Sequence, residues 1–167
     1  TKTFVVEKKI AASASKESPE PQEPHGIRIS PDGTQAYIAA LKGKSLKIFN
    51  LKNDTMENVD LGGAAVQAGV TPDGKLVMVS LYDTKQLAVY DLTTKKITTI
   101  SLPKNAKGPI QMYATPDSRF IYLADQGYYF NQPASEWVNK IDIQKLTVVK
   151  EIKAGSGPHG VAISEDG

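Results

Sequence analysis

The 167 residues, 18.0 kDa, combine 40% hydrophobic with 23% charged side chains, the balance of a soluble globular protein with one buried core. Twenty basic and 18 acidic residues leave a formal charge of +2 spread along the chain, without the Lys/Arg stripe of a phosphate-backbone binder, so nucleic acid is not the expected partner. The absence of cysteine excludes a disulfide framework, a Cys zinc site and a thiol nucleophile, and no apolar run approaches the roughly 20 residues of a membrane span.

In chain order, residues 1–10 read as the outermost strand of a preceding repeat, because Thr3 to Ile10 (TFVVEKKI) matches Leu146 to Ile152 (LTVVKEI) later in the chain. No leader precedes this strand, and since the chain opens in mid-strand a leader could have been lost. Residues 11–23, rich in Pro, Ser and Glu, predict a mobile loop. A turn signature then recurs as Ser30-Pro31-Asp32-Gly33, Thr71-Pro72-Asp73-Gly74, Thr115-Pro116-Asp117-Ser118 and Ser164-Glu165-Asp166-Gly167, so its first member returns after 41, 44 and 49 residues (30 to 71, 71 to 115, 115 to 164). Proline fixes φ at the first corner, Asp bonds its own downstream backbone, and Gly accepts the positive φ that ends the turn. Around each turn lie a short first strand and a β-rich second strand: Ile27 to Ser30 with Ala36 to Ala40, Ala68 to Thr71 with Leu76 to Ser80, Met112 to Thr115 with Phe120 to Ala124. A third strand ends on Asn50, Asp91 or Asp142, each opening a further turn, and a fourth covers Met56 to Leu61, Lys96 to Ile100 or Leu146 to Ile152.

Four-stranded units at a period of about 40 residues are the mark of propeller blades. The sequence therefore predicts an all-β propeller arc: blades at 24–63, 64–107 and 108–153, an outer strand before them, and at 154–167 the inner strand of a following blade. Propellers close with about four to eight blades, so this arc belongs to a larger ring, seven-bladed by preference, whose other blades come from the same parent, a second chain or further copies of this one. The third blade carries seven extra residues between its second and third strands, because turn proline and third-strand Asx stand 19 apart in the first two blades (31 to 50, 72 to 91) and 26 apart in the third (116 to 142). The insert falls in 127–137 and holds Tyr128, Tyr129, Phe130 and Trp137.

Pro24-His25-Gly26-Ile27-Arg28-Ile29 and Pro158-His159-Gly160-Val161-Ala162-Ile163, each followed by its turn, resemble the blade opening of the YVTN-type (YncE-like) propeller repeats. Ala36-Tyr37-Ile38-Ala39-Ala40 and Ile121-Tyr122-Leu123-Ala124-Asp125 resemble that family's Tyr-Val-Thr-Asn strand. The resemblance implies an exported, periplasmic or surface-attached protein, largely without catalysis, related to the haem d1 and nitrous oxide reductase propellers. It departs at Leu76-Val77-Met78-Val79-Ser80, which lacks the aromatic, and at Val66 and Ile110, which stand where His25 stands in the first blade.

Meander geometry puts the Pro-Asp-Gly turns on one face of the arc and the loops leading into each blade, with the loops between strands two and three, on the other. His25, His159 and the aromatic insert all fall on the second face, the expected working face. The two histidines are candidates for a zinc, copper or haem ligand, or else for turn chemistry in which the imidazole bonds a neighbouring carbonyl. The insert aromatics are candidates for stacking a ligand. Arg28, Gln67, Gln111 and Tyr113 are expected to line the channel, with Arg28 able to hold a carboxylate or phosphate. The leading expectation is a non-catalytic scaffold that binds a protein or small molecule and needs no cofactor; a lactonase-type hydrolase and a haem or copper redox propeller are the alternatives.

Overall fold

The computed structural model describes residues 5, 6, 8–12 and 22–167. Among these, β1 (Pro24–Ile29), β2 (Gln35–Ala40), β3 (Ser45–Asn50) and β4 (Met56–Asp60) form one sheet. A second is built from β5 (Ala65–Val70), β6 (Leu76–Leu81), β7 (Gln86–Asp91) and β8 (Ile97–Ser101), and a third from β9 (Pro109–Ala114), β10 (Phe120–Asp125), β11 (Trp137–Asp142) and β12 (Thr147–Lys153). Within each sheet the strands follow chain order and every pair is antiparallel.

The hairpins close as the turn residues dictate. Gly33 N–H donates to the Ser30 carbonyl at 2.9 Å while the Ser30 hydroxyl donates to Asp32 at 2.6 Å, and Gly74 and Thr71 repeat the arrangement with Asp73 at 2.9 and 2.6 Å. In the third turn Ser118 takes the positive φ that glycine takes in the first two, 57° against 71° and 70°. Its hydroxyl accepts the Asp73 N–H at 3.1 Å, a bond between blades that glycine lacks. At the other hairpins Asn50, Asp91 and Asp142 each accept two downstream backbone N–H groups through Oδ1, the Asx turns that end the third strands.

The sheets bury their faces against one another. Tyr37, Leu46 and Ile48 of the first sheet pack on Val77, Val79, Leu81 and Tyr90 of the second, whose opposite face packs Met78, Leu87 and Val89 on Met112, Ile121, Leu123 and Ile141 of the third. A strand such as β6, buried on both faces, needs apolar residues at successive positions, which is why Leu76 to Leu81 does not alternate. Each such Val or Leu withdrawn from water contributes about 1.5–3 kcal/mol. Inner strand touches inner strand, β1 against β5 and β5 against β9, as in sheets set radially about an axis. The chain is an arc of three β-propeller blades.

The flanking segments differ from the expected strands. Among the described residues, 5, 6 and 8–10 pair with no strand, while the rest of that predicted strand, with the core of the predicted loop at 13–21, lies outside the described residues. Residues 158–164 form no ladder either. Val161 packs on the cluster of Ile110 and Ala124, and the fourth turn closes with Gly167 N–H donating to the Ser164 carbonyl at 3.0 Å.

Candidate ligand site at the mouth of the inner strands

All three innermost strand pairs carry a register shift at the same level, between Pro24 and Ile27, Ala65 and Ala68, and opposite Leu123 to Asp125. A bulge re-aims the side chain at the irregularity. In the first two blades it produces an interlock. Gln67 lies across Gly26 so closely that a Cβ there would sit 2.3 Å from its Oε1 and 2.7 Å from its Cα. His25, next to that glycine, places Nδ1 3.0 Å from the Val66 carbonyl. A carbonyl only accepts, so Nδ1 carries the proton and Nε2 is the ring nitrogen not committed to this bond.

The insert of the third blade is pinned from beneath. Buried Asp125, at the end of β10, accepts the Ser135 hydroxyl at 2.6 Å, which ties the far end of the insert to its start, and accepts the Lys107 and Gly108 N–H groups, which ties both to the segment leading into β9. Tyr82 of the second blade, 1% exposed, donates its hydroxyl to the Tyr129 carbonyl at 3.1 Å and accepts the Tyr129 N–H at 3.0 Å. Burial pushes its phenol above the usual tyrosine value, which keeps that donor proton in place. Its ring meets Tyr129 edge-on at 6.0 Å and Phe130 at 5.2 Å. Tyr128, Phe130 and Asn131 all hold positive φ (73°, 52° and 59°), conformations that cost side-chain-bearing residues energy and persist only where the surroundings impose them.

Between these elements lies a pocket of about 300 Å³ lined by His25, His159, Gln67, Gln111, Gln126, Tyr129 and Phe130 over a floor of Leu41, Val66, Tyr82 and Ile110. Among the described residues no Asp, Glu, Lys or Arg lines it. Gln126 Oε1 is enclosed without a hydrogen-bond partner, an unmatched acceptor in its wall. Six residues singled out from the sequence thus converge: His25, His159, Gln67, Gln111, Tyr129 and Phe130. The others go elsewhere. Tyr128 lies over Gly157, with its hydroxyl 3.4 Å from that of Ser156, and Trp137 is the first residue of β11, paired with Asp125 and Lys153, so it belongs to the sheet rather than to the insert. Arg28 and Tyr113 meet in a separate hollow at the Pro-Asp-Gly end. Among the described residues no group of three or more His, Asp or Glu side chains gathers as a metal site would require.

Sequence reasoning missed Tyr82, Gln126 and Asp125. Gly108 was the available signal for Tyr82, since a Cβ there would fall 2.0 Å from Tyr82 Cζ.

No family model matches the chain, and no curated protein matches it. Solved structures do match. Hydrazine synthase of Kuenenia stuttgartiensis superposes with a TM-score of 0.79 at 24% identity, over 96% of this chain and 44% of that one. A catalytically inactive histidine-to-alanine variant of Staphylococcus aureus virginiamycin B lyase with quinupristin gives 0.64 at 15%, over 81% and 43%. A functionally unknown protein of Desulfotomaculum acetoxidans DSM 771 gives 0.70 at 13%, over 86% and 46%. The chain spans less than half the length of each. At these identities the likeness shows the propeller fold alone.

Proposed function

We propose that the chain is the ligand-presenting arc of a YVTN-type binding propeller, and that the pocket between His25, Gln111 and Phe130 takes a small uncharged molecule with a flat or apolar face and a hydrogen-bonding edge. The observation that carries this reading is the composition of the pocket wall: among the described residues, aromatic side chains, carboxamides and two imidazoles meet there without an Asp, Glu, Lys or Arg. Tyr129 and Phe130 supply a stacking surface held by Tyr82, while Gln67, Gln111 and Gln126 supply donors and acceptors that orient polar edges. Pro24-His25-Gly26 and Pro158-His159-Gly160 support the YVTN-type assignment. The lyase structure with quinupristin offers a precedent for a small molecule carried by this fold.

A catalytic reading rests on His25, whose Nδ1 is held by the Val66 carbonyl while the ring lines the pocket. Both are tested together by screening neutral sugars, nucleosides and cyclic peptides against the purified chain by ligand-observed NMR. Binding is expected for an uncharged hit, weakened about tenfold by Phe130→Ala or Gln111→Ala, which corresponds to about 1.4 kcal/mol. A hit that binds all three proteins alike overturns the reading. Turnover of the hit that His25→Ala abolishes without loss of binding would move the assignment to catalysis.

A further inference from the structure

The inner strands carry a second, chemically opposite hollow at their other end. Ladder partners fix the equivalence of three positions: Arg28 faces Tyr37, Gly69 faces Met78 and Tyr113 faces Tyr122, each second-strand partner holding the same place in its blade. The axis is thus lined at this level by a guanidinium, a bare backbone and a phenol. Arg28 Cζ lies 5.3 Å from the centre of the Tyr113 ring, and Gly69 of the intervening blade lines the same hollow.

Three observations make this hollow a binding site in waiting. Arg28 forms no ion pair among the described residues. The acids of the adjoining turns are already engaged: Asp32 accepts from Ser30 and Thr34, Asp73 from Thr71 and Lys75, and Asp117 from Thr115 and Arg119 N–H. The space itself, about 210 Å³, has an apolar wall of Ile29, Val70 and Met112 next to the guanidinium. A ring over the face of an arginine leaves its N–H edges free, and those edges match the two oxygens of a carboxylate.

We propose that Arg28, stacked on Tyr113 across Gly69, binds the carboxylate of a small organic acid whose apolar body lies against Met112 and Val70. The site shares no residue with the pocket at the opposite mouth, so ligand binding at one is tested independently of binding at the other.

The test is a titration of the 15N-labelled chain with benzoate, acetate and inorganic phosphate, followed by amide shifts. Benzoate is expected to saturate with shifts centred on Arg28, Gly69 and Tyr113, and more tightly than acetate because of the apolar wall. Arg28→Gln raises its dissociation constant at least tenfold, Arg28→Lys loses most of the affinity because a point charge replaces the fork, and Phe130→Ala leaves it unchanged. Benzoate that never saturates, an unchanged constant in Arg28→Gln, or phosphate bound more tightly than benzoate at the same residues would each overturn the proposal.

Discussion

Gly26 shows how a single residue reports on a neighbouring blade. Its strand alone gives no reason for glycine; the reason is the Gln67 side chain of the next blade lying across it. Pro-His-Gly was therefore legible as a motif, and its histidine as a group near a carbonyl, but the steric cause was not, because it belongs to a contact between residues 41 positions apart. Gly160, in the same motif, is looser: a Cβ there would stand 3.6 Å from Gln111 Oε1, an ordinary contact. Gly26→Ala must displace backbone as well as side chain and is expected to cost about 1–3 kcal/mol, whereas Gly160→Ala is expected to be near neutral. Urea denaturation of the two variants checks this, and equal losses would contradict the interlock.

At the scale of the element, turn chemistry was the most legible feature because it is local. The four turn quartets and the Asx turns close where their residue types say, and the β-rich runs beside the first three quartets are strands. The insert is the opposite case. Its length and aromatic content were readable, but its fold is imposed by Tyr82 and Asp125, which lie outside it, so the sequence offered four aromatics and the structure sends only Tyr129 and Phe130 to the pocket. The turns also predict a pH response. The Ser30 hydroxyl and the Thr34 N–H hold the Asp32 carboxyl below its ordinary value of 3.8, and the Thr115 hydroxyl with the Arg119 N–H does the same for Asp117. A carboxyl with a lowered folded value stabilises the fold above its unfolded value and loses that contribution as pH falls through the folded value. Urea midpoints should hold between pH 7 and 5 and drop below about pH 4, with a smaller drop in Asp32→Asn. An Asp32→Asn protein with an undiminished acid response would show that the turn carboxyls do not carry it.

For the whole molecule, the period of about 40 residues revealed the blades because each is one hairpin meander, and repetition is visible without knowing how the meanders pack. Packing decides the rest. The end that carries the entry loops and the insert was readable from loop order, but the division of the inner strands into an aromatic, carboxamide-lined mouth and a hollow holding Arg28 depends on the bulges and on which side chains meet across blades. Both proposed sites require the same premise, that consecutive sheets lean on one another side by side. The measurement closest to that premise is a set of proton–proton contacts in solution by NOESY. The radial arc predicts cross-peaks between Tyr82 and Gly108 and between Met112 and Gly69, and none between the Tyr37 and Leu46 side chains and those of Ile121 and Ile141, which the second sheet separates. Direct contacts between those first-sheet and third-sheet core groups would contradict the arc and both sites built upon it.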